Sequence, residues 1–195
     1  YYHGFENQES AWIKEGDIKF ICLVPGYDRH FQICEELGIK MINVPFLSKD
    51  PDIDRIEKLL KSDPLIKGIW CVPKYSNPTG HVYSDNVIKR FAKLAKISGK
   101  NFRIMWDNAY SVHDLFDNSP NMINIMDEAK KVGSEDSIVI TGSTSKITFA
   151  GGGISFIGSS LKNIKNFRKR ISTMTIGPDK LNQKRHVLFL KNLEG

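Results

Sequence analysis

Lys146 closes the run Thr141-Gly142-Ser143-Thr144-Ser145, a polar turn directly behind the apolar stretch Ser137–Ile140. A lysine in such a turn can be held partly out of water, which lowers its pKa and frees the amine as a nucleophile. Alone, it reads more readily as a solvated surface lysine. Asp107 follows the apolar run Phe102–Trp106, where a turn or a helix cap would also explain it. Three further residues on comes the phenol of Tyr110. Behind other apolar runs stand Tyr27 and His30, in Pro25-Gly26-Tyr27-Asp28-Arg29-His30, and Asn77, in Tyr75-Ser76-Asn77-Pro78-Thr79-Gly80. Each residue has a plain reading in turn structure or packing; the order in which they occur is the informative feature.

The elements that must position these residues alternate in type. Strand-like runs are Asp17–Val24, Ile39–Val44, Ile66–Val72, Phe102–Trp106, Ser137–Ile140 and Ile154–Ile157. Helical spacing covers Arg29–Leu37, Pro51–Leu60, Asp85–Ile97, Asn121–Lys131, the basic stretch from Leu161 to Ile171, and Lys180–Leu193. Alternation of this kind predicts an α/β fold: a mostly parallel sheet with helices on both faces, three layers in all, joined by right-handed crossovers. Ligands in such folds collect beyond the carboxyl ends of the strands, which is where every residue singled out above falls. With no internal repeat and no linker, residues 1–195 read as a single domain.

Composition bounds the remaining options. The 195 residues are 41% hydrophobic and 26% charged, which excludes a disordered chain. The longest apolar run, Ile18–Val24, is broken by Lys19 and ends at Pro25, too short for a bilayer. The first residues lack the pattern of a signal peptide. With no initiator Met, the chain is expected to be an internal piece of something longer. Cys22, Cys34 and Cys71 form neither a disulfide framework nor a C-x-x-C metal pair, so no metal is expected, and a reducing, cytoplasmic compartment is the simplest reading. The net charge of +6 is concentrated at Lys162, Lys165, Arg168, Lys169 and Arg170. Because Leu161, Ile164, Phe167 and Ile171 share one face of that helix, the cations are expected on its solvated side, with no nucleic-acid partner and no membrane.

One cofactor uses this whole set of groups. Pyridoxal 5'-phosphate needs an amine for its aldehyde and an anion for its ring nitrogen. Lys146 and Asp107 supply those two. Tyr110 and Asn77 suit the ring's phenolic oxygen, Tyr27 its face, His30 the back of Asp107, and Ser143 and Ser145 the phosphate.

The blocks PGYDRHF (Pro25–Phe31), YSNPTG (Tyr75–Gly80), WDNAY (Trp106–Tyr110) and STSK (Ser143–Lys146) resemble the large, cofactor-binding domain of the fold type I, class I aminotransferases. The resemblance runs from near residue 20 to about residue 160. The fuller runs GIWCVPKYSNPTG, WDNAYSVHDL and GSTSKITFAGGGISF, with LNQKRHV near the end, are similar to an atypical bacterial subgroup of aspartate aminotransferases. It implies that Lys146 bonds the cofactor and then moves the substrate proton, and that Asp107 pairs with the pyridine nitrogen with His30 behind it. Asn77 and Tyr110 would hold the phenolic oxygen, Tyr27 would stack, and Ser143 and Ser145 would touch phosphate. A cis Asn77–Pro78 bond is also implied, as are amino acid and 2-oxo acid substrates and a homodimer. The family's upstream phosphate loop and its small domain, with the arginine for the substrate carboxylate, are not located in this sequence.

One departure stands out. Most of the family carries a phosphate-binding arginine seven or eight residues after the lysine, where this chain has Gly153 and Ile154. The phosphate would then be anchored by backbone N–H groups, by the serines, or by parts outside this chain. Two other readings stay open at this point: a non-catalytic sensor domain of a transcription regulator, and a lyase or decarboxylase on the same scaffold.

Overall fold

Strand β1 (Lys19–Val24) lies inside a seven-stranded sheet because both of its faces are apolar. Ile21 and Leu23 join a large cluster on one side, while Phe20 and Cys22 join a smaller cluster on the other. The computed structural model describes residues 1–4 and 10–192. Around β1 the sheet runs in the order β3-β2-β1-β4-β5-β6-β7. Here β2 is Lys40–Leu47, β3 Asp50–Pro51, β4 Ile66–Cys71, β5 Arg103–Asp107, β6 Ile138–Ser143 and β7 Ser155–Ser159. The five strands from β2 to β6 pair in parallel, and β3 and β7 close the two edges antiparallel.

Helices cover both faces, as the alternation predicts. α1 (Asp28–Glu36) contributes Cys34 to the smaller cluster. On the opposite face, α2 (Ile53–Ser62), α3 (Asp85–Lys93) and α4 (Ile125–Val132) bring Ile56, Leu60, Phe91 and Ala129 against Ile69, Ile104 and Trp106. Burying a side chain of this size is worth about 1.5–3 kcal/mol, so the larger cluster anchors the centre of the sheet.

Side-chain caps set several helix boundaries. Asp52 accepts from the Arg55 N–H and Ser84 from that of Val87, fixing the starts of α2 and α3. Asn124 accepts from the Met126 N–H, so α4 begins four residues later than helical spacing alone suggests, and it ends at the left-handed Gly133. α3 stops at Lys93 and tightens into a 3-10 turn over Leu94–Lys96, shortening the expected helix.

The last segment departs most from expectation. α5 (Leu161–Thr175) and α6 (Lys180–Lys191) both form. However, the apolar face of α5 is only partly covered: Ile164 and Phe167 are half-buried, but Leu161 is 72% and Ile171 45% exposed, and the helix's one buried residue is Asn163. No helix among the described residues is long and apolar enough to cross a membrane. Nor do those residues hold a group of three or more His, Cys, Asp or Glu side chains fit for a metal.

Candidate functional site

The strand order reverses between β1 and β4, since the chain proceeds outward from β1 through β2 and then restarts on the other side. This switch point is where open α/β sheets gather ligands. The turns after β1 and β4 bring Tyr27 and Asn77 to its rim, beside a small cavity of about 20 Å³, which holds roughly one water.

β5 delivers Asp107 with its backbone registered against Thr141 of β6. Trp106 points into the larger core, so alternation along the strand turns Asp107 to the α1 face. There the Nε2–H of buried His30 donates to Asp107 Oδ2 at 3.1 Å. The Thr141 hydroxyl donates to the other oxygen, Oδ1, at 3.3 Å. His30 is itself confined by rings: it stacks on Trp70 at 4.4 Å and 8°, and meets Tyr27 edge-on at 5.4 Å and 88°. Asp107 thus has a donor on each oxygen, and its nearest support is held by aromatic packing.

Lys146 belongs to the loop between β6 and β7. Its Nζ lies 4.8 Å from the centre of the Tyr110 ring, and Tyr110 stands three residues after Asp107. The Tyr110 hydroxyl is 3.5 Å from Asn77 Nδ2, so those two polar groups converge as the sequence order suggests. Lys146 is exposed, contrary to the expectation of partial desolvation. Asn77–Pro78 is cis, and so is Val24–Pro25.

Ser143 ends β6, and the Ser145 N–H faces its hydroxyl at 3.4 Å. Gly153 lies directly behind Ser145. A Cβ there would sit 2.3 Å from Ser145 Oγ and 2.8 Å from its backbone N and Cα. A side chain at 153 would have to displace the Ser145 backbone, which disfavours an arginine at this position. At the neighbouring position, Ile154 has both backbone groups engaged with Thr144.

Tyr27, His30, Asn77, Asp107, Tyr110, Ser143, Ser145 and Lys146 therefore all lie at the ends of β1, β4, β5 and β6. Sequence reading overlooked Thr141, Trp70 and Thr144. Thr141 is visible only once β5 and β6 are in register, and Trp70 reads as ordinary strand core.

Against known proteins, residues 1–195 match the family model described as aspartate amino-transferase. The chain belongs to that family. A curated protein of Mycolicibacterium smegmatis is 47% identical over 193 residues, covering 99% of this chain and 45% of that protein. An aspartate aminotransferase of Corynebacterium glutamicum is 42% identical over 195 residues, covering all of this chain and 45% of that enzyme. The crystal structure of an aspartate transaminase from Corynebacterium glutamicum superposes with a TM-score of 0.88 at 43% identity, over 94% of this chain and 43% of that one. The chain thus spans about half the length of the curated relatives that it matches, and its sheet and helices are those of the family.

Proposed function

We propose that the full-length protein is a pyridoxal 5'-phosphate-dependent transaminase, moving an amino group between aspartate and 2-oxoglutarate. The observation that carries this reading is the rim that bears Asp107, with a donor on each carboxylate oxygen, and Lys146, whose Nζ lies over the Tyr110 ring. The donor set suits the cofactor: an amine for the aldehyde, a supported carboxylate for the ring nitrogen, and a phenol and an amide beside one another for the phenolic oxygen. The choice of aspartate follows the Corynebacterium glutamicum relative.

When bound, the cofactor supplies an electron-accepting ring for the pair left on a substrate carbon that loses its proton. The rest falls to side chains of this chain. Asp107 would pair with the ring nitrogen, its two oxygens aimed by His30 and Thr141. Tyr27 would cover one ring face, and Asn77 and Tyr110 would hold the phenolic oxygen. Ser143 and Ser145 would hold the phosphate, in place of an arginine at 153. Lys146 would hold the cofactor through Nζ and, once the substrate amine displaces it, would be the group that carries the proton.

The chain is, on this reading, most of the large cofactor domain. An upstream segment, a small domain and a second copy in a homodimer complete the site. Exposed apolar side chains on α5 and α6, such as Leu161 at 72% and Leu181 at 75%, suit that incompleteness. Three free, buried cysteines suit a cytoplasmic setting. To test the reading, the full-length protein is loaded with pyridoxal phosphate, reduced with borohydride and mapped. A single adduct at Lys146, with a half-reaction on aspartate, is expected; an adduct at another lysine overturns the site.

A further inference from the structure

α6 has one buried side chain, and it is polar. His186 is 2% exposed, while Leu181, Val187 and Leu188 on the same helix are exposed. The helix is therefore not seated by an apolar stripe, and what His186 and Asn182 touch is the loop that carries Lys146. We propose that His186 and Asn182, one turn apart on α6, are positioning residues that hold the Lys146 loop in its working shape. This rests on the reading of Lys146 as the cofactor lysine.

The base of the loop is closed twice: the Thr144 N–H donates to the Ile154 carbonyl at 2.9 Å, and the Ile154 N–H donates to Thr144 Oγ1 at 2.8 Å. The proton arrangement at His186 then follows from its partners. Nδ1 lies 2.9 Å from the Asn182 carbonyl, which can only accept, so Nδ1 carries the hydrogen. Nε2 of the neutral ring is left as an acceptor. Thr144 Oγ1, already accepting from Ile154, turns its hydroxyl hydrogen to Nε2 at 2.9 Å. Thr148 spends its own hydroxyl hydrogen on the Thr144 carbonyl at 2.9 Å and stands 3.2 Å from the same Nε2.

On the far side of Lys146, Asn182 Nδ2 donates to the Gly152 carbonyl at 2.9 Å. The Phe149 ring lies 5.3 Å from the imidazole of His186 and 5.0 Å from the guanidinium of Arg185. Contacts at 144, 148, 149 and 152 thus bracket Lys146, and none engages its amine. The latch fixes the lysine's backbone and leaves Nζ free to react.

Three forms of the full-length protein test this: wild type, His186→Phe, which keeps a ring but no polar atom, and His186→Gln, which keeps an acceptor for Thr144. Two readouts are taken, amide hydrogen exchange over residues 144–154 and the rate at which pyridoxal phosphate becomes borohydride-fixable at Lys146. His186→Phe is expected to speed loop exchange and slow attachment by about tenfold each, the size of one net hydrogen bond. His186→Gln is expected to recover both, with the exchange of β1, β4 and β5 unchanged throughout. Unaltered loop exchange and attachment in His186→Phe overturn the proposal, even if the melting temperature falls. Should His186→Phe not fold, Asn182→Ala carries the test through faster exchange at 149–152, and unchanged exchange there overturns it. Attachment of wild type at a different lysine sinks the functional reading alone, because loop exchange still decides whether α6 holds the loop.

Discussion

Asp107 and Lys146 face one rim, yet they are secured by unlike means. Asp107 extends a central parallel strand whose preceding residue, Trp106, is 1% exposed in the main core. Its carboxylate is then aimed by His30 and Thr141 from neighbouring elements. Lys146 rides an exposed loop between β6 and an antiparallel edge strand, tied down by hydroxyl, imidazole and amide groups. The carboxylate inherits its rigidity from apolar burial, which is non-directional and strong in sum. The amine depends on a few directional bonds, each of which is weak net of water. An anion that must stay fixed suits the first arrangement. In the proposed function Lys146 would have to bond, release and carry a proton, which suits the second.

Trp106→Ala should break the comparison from the Asp107 side, and with the largest effect. Truncating a buried tryptophan costs about 3–5 kcal/mol, so chemical denaturation should show a global loss of that order, with exchange rising across β4, β5 and α3 together. A loss confined to residues 107–110 would mean that the carboxylate is not coupled to the core. Gly153→Ala probes the other side. The new methyl meets the Ser145 backbone, and overpacking costs about 1–3 kcal/mol. Loop exchange and attachment at Lys146 should suffer, while the β1–β5 core keeps its protection. An unchanged attachment rate would show that the loop yields without consequence.

The smallest expected effect concerns pH. Lys74, and after it Tyr75, hold the Asp114 carboxyl below the usual carboxylate range by hydrogen bonding. A depressed folded-state pKa stabilises the folded form above the ordinary carboxylate value, and that contribution is lost as pH falls through the depressed one. Protection of residues 111–114 should therefore decline only in acid, below about pH 4. Asp114→Asn should remove the acid dependence by lowering protection at neutral pH to the level that the wild type shows in acid. A decline beginning near neutrality would assign it to another group.

Much of this was legible in the sequence because it depends on local pattern. The apolar runs of β1, β4, β5 and β6 and the chemistry behind each are contiguous in the chain, and they placed every proposed site residue at a strand end. What stayed hidden depends on register and on distance. Thr141 acquires meaning only when it stands across from Asp107 in paired strands. β7 is too short to declare its antiparallel direction, and β3 spans two residues. His186 lies on the final helix, where a lone histidine carries no signal until the loop folds against it. For α5 the pattern misled: the apolar spacing is present, but periodicity states which face wants cover and not what provides it.

The central claim is that Lys146 and Asp107 serve opposite ends of one cofactor ring. A crystal structure of the full-length protein soaked with pyridoxal phosphate tests it most directly. Lys146 Nζ should lie at bonding distance from the aldehyde carbon, with an Asp107 oxygen within about 3 Å of the ring nitrogen. A ring bound with Asp107 turned away from its nitrogen, or joined to any other lysine, would contradict the account.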